Sequence, residues 1–123
     1  MKRILIIDDD IVMREILKEE LEPLGYDLGE ACNGREGLDL YKKKPFDLII
    51  TDIIMPEMEG LETILALKRL ASDTKIIAIS GGGKGNPEGY LGMAEKLGAH
   101  RIFSKPFDPR ELATSVRHLL SED

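Results

Sequence analysis

One run of residues restricts the fold of this chain more than any other: Phe46-Asp47-Leu48-Ile49-Ile50-Thr51-Asp52. Leu48 to Thr51 are apolar or β-branched without alternation, the composition of a strand buried on both faces of a parallel sheet. The run stops on a carboxylate, Asp52, and Pro56 and Gly60 then punctuate a loop before the helix-patterned LETILALKRLA. Open α/β sheets bind their ligands outside the carboxyl ends of the strands. Asp52 therefore stands where such a fold carries its chemistry, and the ends of the other strands become the next question.

The same signature recurs along the chain. Arg3 to Ile7 closes on Asp8-Asp9-Asp10, Lys75 to Ser80 closes on a hydroxyl, and Arg101 to Ser104 closes on Lys105-Pro106. YDLGEA, interrupted by Gly29, is a weaker strand. Helical periods fill the gaps. Ile11, Val12, Ile16, Leu17, Leu21 and Leu24 recur at three- and four-residue steps behind Asp10 as N-cap, with Gly25 as a stop. Asn33 caps REGLDLYKKK, whose closing lysines suit the helix dipole. Leu61, Ile64, Leu65 and Leu67 mark the buried stripe of a helix from Leu61 to Ala71. A further helix is expected from about Glu88 to Leu97, stopped by Gly98, and a last one from Asp108-Pro109 to about Leu120. Strand and helix alternate five times. This predicts a single α/β domain over residues 1–123, without an output domain: a five-stranded parallel sheet in the flavodoxin-like order 2-1-3-4-5, helices on both faces, right-handed crossovers.

Composition excludes several functions. The net charge of −6 leaves no basic surface for nucleic acid. No apolar run approaches the ~20 residues of a membrane span, and MKRILIIDDD enters a strand directly where a signal peptide would need a longer apolar stretch. Cys32 has no second cysteine to pair with, so it reads as a small core residue in a reducing, cytoplasmic setting. The glycine-rich GGGKGNPEG fits neither G-x-x-x-x-G-K-[ST] nor G-x-G-x-x-G, and the first strand ends in acid where a Rossmann fold presents glycine. Nucleotide binding is rejected.

The parallel topology brings Asp8, Asp9, Asp52, Ser80 and Lys105 to one edge of the sheet. Clustered carboxylates disfavour joint ionisation, and a hard divalent cation resolves that conflict. A carboxylate nucleophile, a metal, an ammonium and a hydroxyl are the parts needed to take up a phosphoryl group and hold its oxygens.

On ILIIDD, DLIITDIIMPEMEG, AISG and FSKPF, in that order and spacing, the whole chain resembles the response-regulator receiver domain of two-component signalling. The resemblance implies Asp52 as phosphoacceptor, with Asp8, Asp9, Asp52 and the backbone carbonyl of Ile54 around Mg²⁺ (or Mn²⁺). It further implies Ser80 as switch hydroxyl, Lys105 as phosphate-binding lysine, and a cis peptide at Lys105-Pro106. The implied partners are a histidine kinase or phosphotransfer protein as donor and an unidentified effector protein, for a monomer or weak dimer that is not itself an enzyme. Two departures bear on output. Ile102 stands where members of the family often carry Tyr or Phe, and the loop after Ser80 is longer and richer in glycine. Output is therefore expected through the loop from Gly81 to Pro87. The expected partner face is the helix surface near Tyr90 and Met93, with the fifth strand and the last helix.

Two other readings remain open. Asp8-Asp9-Asp10-Ile11-Val12 satisfies the D-x-D-x-[TV] start of haloacid-dehalogenase-type phosphatases, with Asp8 as nucleophile and Asp10 as acid/base, although Asp52 is then unexplained. A pseudo-receiver that binds partners without phosphorylation needs no complete acid set. Asp47, His100 and His118 lie away from the active edge; Asp47 reads as structural and the histidines as solvated.

Overall fold

A computed structural model of the protein describes residues 1–53, 60–70, 73–80, 92, 95–96 and 98–121. Five strands, β1 (Arg3–Ile7), β2 (Asp27–Ala31), β3 (Leu48–Asp52), β4 (Lys75–Ser80) and β5 (Arg101–Ser104), pair in parallel in the order β2-β1-β3-β4-β5. The helices α1 (Ile11–Leu21), α2 (Gly34–Lys43), α3 (Gly60–Leu70) and α4 (Pro109–Leu120) connect or follow them. Gly92, Glu95 and Lys96 are also helical. The rest of the helix expected over 88–97 lies outside the described residues, as does the loop from Gly81 to Pro87.

The unbroken apolar runs of β1, β3 and β4 are explained by two cores that read alternate residues of the same strands. Leu5, Ile7, Ile49, Ile76 and Ala78 pack with α2 and α3 residues such as Leu38, Tyr41, Ile64 and Leu67. Ile4, Ile6, Leu48, Ile50, Ile77 and Ile79 pack with Leu17 and Leu21 of α1 and Leu112, Val116 and Leu120 of α4. All five residues of β3 are buried, so the strand has no solvated face to accommodate polar side chains before its end.

Capping sets the helix starts. Asp10, Asn33 and Asp108 each accept a first-turn amide, from Val12, Glu36 and Arg110. Gly25, at φ +91°, closes the 3-10 turn Glu22–Leu24 in the left-handed region that favours glycine. Gly60 answers a different demand. A Cβ there would run into Ile53 Cα and the main-chain oxygen of Asp52, so only glycine lets α3 start against the end of β3.

Four expectations need correction. Ile11 and Val12 are 60% and 61% exposed, because the face of α1 that meets the core runs through Met13, Leu17 and Leu21 and these two residues fall on the other side of the helix. Leu65 is likewise exposed, and Thr63 fills the buried stripe with Ile64 and Leu67. Cys32 is exposed, not a core residue; it lies in the connection past β2, where its amide donates to Glu36 Oε1. His100 is not simply solvated, since its Nδ1 accepts from the Ile76 amide at 3.1 Å. Asp47 is structural as expected, accepting the Arg3 amide at 2.8 Å.

Candidate functional site

Register places the acids. Ile7 pairs with Thr51, so the next residues, Asp8 and Asp52, fall side by side at the carboxyl edge. Ser80 pairs with Ser104, which brings Lys105 alongside, and the Lys105 amide donates to the Ser80 carbonyl at 2.7 Å. The Lys105-Pro106 peptide is cis, as the resemblance implied.

Side chains converge on that edge. Lys105 Nζ lies 3.1 Å from Asp52 Oδ2 and 3.4 Å from Asp8 Oδ2, bridging the two carboxylates. Asp8 is 1% exposed, Asp52 is buried, and Asp9 is open to solvent. One carboxylate oxygen from each of Asp8, Asp9 and Asp52 lies within 4.8 Å of the others. Burial raises the Asp8 carboxyl from its usual 3.8 to about 6; the Asp10 amide on Oδ1 opposes the rise, the Asp52 charge adds to it, and Lys105 counters it. Burial works against the Lys105 ammonium, but the charges of Asp52 and Asp8 outweigh it and raise its pKa. The Lys105 ammonium is thus shared by two of the three acids, and an all-oxygen donor set of this kind suits a hard divalent cation.

Ser80 supplies a second sign of an incomplete site. Its hydroxyl oxygen is fully buried and has no hydrogen-bond partner among the described residues. A buried polar atom left so is a rarity that calls for a ligand, water or ion. Ile54, the expected carbonyl ligand, lies outside the described residues, as do Tyr90 and Met93. Ile102 is exposed on β5, and Phe103 beside it turns to the α1–α4 core and packs on Phe107. Asp10 stands apart from the cluster, its Oδ1 taken up by the Val12 amide.

Arg14 was not foreseen. Its Nη1 donates to the main-chain carbonyl of Asp8 at 2.6 Å and its Nε to Glu30 Oε1 at 3.0 Å. The only hint in the sequence is a basic residue among acids on the helix that follows the Asp triplet. A cavity of about 560 Å³ lies at the opposite edge, lined by Lys2, Tyr26, Arg117 and His118 among others, and takes no part in this cluster.

A parallel five-stranded sheet with three acids, a lysine and a buried hydroxyl at its carboxyl edge defines a receiver-type α/β domain. The response regulator receiver domain model matches residues 4–117, and the chain belongs to that family, one of signalling domains. It is 37% identical over 116 residues to the chemotaxis protein CheY of Thermotoga maritima, covering 94% of each chain. It is 35% identical to the response regulator receiver protein CpdR of Brucella abortus, covering 98% of each. The chain spans about half the length of other curated relatives, which are named as probable transcriptional regulators. Among solved structures, a CheY-like receiver domain protein from Methanospirillum hungatei superposes with a TM-score of 0.87 at 32% identity, over 96% of this chain and 92% of that one. No helix among the described residues is long and apolar enough to cross a membrane.

Proposed function

We propose that the protein is a cytoplasmic response-regulator receiver that accepts a phosphoryl group on Asp52 and changes its surface for an effector or passes the group on. The observation that carries this reading is the Lys105 ammonium bridging Asp8 and Asp52, together with a buried hydroxyl on Ser80 that lacks a partner among the described residues.

In the proposed reaction an Asp52 carboxylate oxygen attacks the donor phosphorus. A P–O bond forms, and the bond to the donor breaks, P–N for a phosphohistidine of a kinase or phosphotransfer protein, P–O for acetyl phosphate. The donor leaves with the bonding electron pair. Asp8, Asp9 and Asp52, with the carbonyl of Ile54, would hold Mg²⁺ or Mn²⁺; what the bound ion supplies is positive charge to offset the acids and the incoming phosphoryl oxygens. Lys105 would follow the new charge of roughly −1.5 to −2, and the Ser80 hydroxyl would donate to a phosphoryl oxygen. The phosphatase alternative requires Asp10 as acid/base, but its oxygen caps its own helix.

The test is intact mass after incubation with acetyl phosphate and Mg²⁺. One phosphoryl group added to the native chain and none to Asp52→Asn supports the reading, and equal addition to both refutes it.

A further inference from the structure

Among the described residues, Arg14 is a charged side chain hydrogen-bonded into the acid turn that the proposed reaction does not use. Its side chain is only 14% exposed, and its two bonds go in different directions. Nη1 reaches forward to the Asp8 carbonyl at 2.6 Å, while Nε is tied back to Glu30 on β2 at 3.0 Å. The other oxygen of Glu30 accepts from Lys18 at 2.9 Å, so the carboxylate that restrains Arg14 is itself held from a second side. Contact with Lys18 first, and with Arg14, keeps the Glu30 carboxyl ionised below the usual range.

The same strand grips the other end of Asp8. The Asp8 amide donates to the Ala31 carbonyl at 3.1 Å, one residue beyond Glu30. Asp8 is therefore held at its N–H by β2 directly and at its carbonyl through Arg14. That carbonyl belongs to the planar peptide that leads into Asp9, so holding its oxygen sets the direction in which Asp9 leaves. Glu30 has a complementary effect. A guanidinium released this close to Asp8 and Asp9 would be drawn to a carboxylate and would compete with a cation for it.

Resting on the metal-site reading above, we infer that Arg14, restrained by Glu30, is a positioning residue for the divalent-cation site, fixing the Asp8–Asp9 peptide so that the two carboxylates converge with Asp52 before the ion arrives. The rigid fork of arginine is needed, since a lysine nitrogen cannot reach the Asp8 carbonyl and Glu30 in the same two directions. Lys18 pairs with Glu30 and with Glu15 on its own helix, and among the described residues it forms no ion pair with Asp8, Asp9 or Asp52.

The test is Mg²⁺ binding by titration calorimetry, with the unfolding midpoint in EDTA measured alongside, for the native chain and Arg14→Met, Arg14→Lys, Glu30→Gln and Lys18→Met. Outer groups that orient metal ligands are worth about 10–100-fold in affinity. Arg14→Met should weaken Mg²⁺ by at least about tenfold, Arg14→Lys and Glu30→Gln by less, and Lys18→Met should bind as the native chain does. If Arg14→Met fails to fold, Arg14→Lys and Glu30→Gln decide in its place. Lowered midpoints with native Mg²⁺ affinity would reduce Arg14 to a structural strut and overturn the inference. Equal weakening by Lys18→Met and Arg14→Met would overturn it too, because loss of any nearby positive charge would then suffice. A native chain that takes up no Mg²⁺ would instead refute the metal-site reading itself, and this inference with it.

Discussion

Removing the charge of Asp8 should stabilise the protein without metal and abolish its gain from metal. Asp8→Asn keeps an oxygen for the Asp10 amide, so the turn retains that hydrogen bond. The native carboxyl titrates at about 6 when folded against 3.8 in an ordinary setting. Its folded pKa is raised, so between these values the folded state holds more protons than the unfolded one, and stability falls as pH rises. The full shift corresponds to roughly 3 kcal/mol of lost stability above the folded pKa. Lys105 loses one of its two carboxylates in the variant, which returns a part, leaving a net gain of about 1–3 kcal/mol near neutral pH. The assay is urea unfolding followed by circular dichroism in EDTA, at several pH values from about 4 to 7.5. The difference between variant and native chain should grow with pH up to about 6 and then level off. Added Mg²⁺ should raise the stability of the native chain by mass action and leave the variant unmoved. A variant less stable than the native chain at neutral pH, or a difference that does not change with pH, would refute the electrostatic account of the site.

Three further outcomes follow from the same contacts. Lys105→Ala should still bind Mg²⁺ and accept the phosphoryl group, yet lose the change in amide hydrogen exchange that phosphorylation produces in the native chain; an unaltered exchange response would contradict the role given to the ammonium. Gly60→Ala should cost about 1–3 kcal/mol in urea unfolding through overpacking against Asp52 and Ile53, and should weaken Mg²⁺ binding by displacing the end of β3; a neutral substitution would show that the close approach carries no strain. His100 accepts the Ile76 amide and has its pKa lowered by burial, with Lys68, Lys75 and Arg101 adding to the effect. Stability from this contact is therefore present above about pH 6.5 and lost as pH falls through the lower folded value, so a histidine titration by NMR should place His100 below the ordinary range, and a value at or above that range would contradict the assigned contact.

What the sequence made legible was whatever depends on strand period and on strand ends. The unbroken runs at Ile4–Ile7, Leu48–Thr51 and Ile76–Ile79 are buried strands, and their parallel register alone carries Asp8, Asp52, Ser80 and Lys105 to one edge. The helix caps Asp10, Asn33 and Asp108 were readable because a cap is a local contact. Periodicity, by contrast, does not say which side of a helix a core covers: the inward stripes run through Met13, Leu17 and Leu21 and through Thr63, Ile64 and Leu67, and Ile11, Val12 and Leu65 are exposed for that reason. Contacts between distant residues leave no trace in spacing. His100 with Ile76, and Arg14 with Glu30 and the Asp8 carbonyl, arise only when β4 meets β5 and α1 meets β2.

The central claim is that Asp52, not another acid of the cluster, receives the phosphoryl group. Acyl phosphates are reduced by borohydride to an alcohol, which converts a phosphorylated aspartate into homoserine and leaves free carboxylates unchanged. The phosphorylated chain, reduced and digested, should yield homoserine in the peptide that contains Asp52 and aspartate intact at positions 8, 9 and 10. Homoserine at Asp8 with Asp52 unmodified would contradict the account and favour the phosphatase reading.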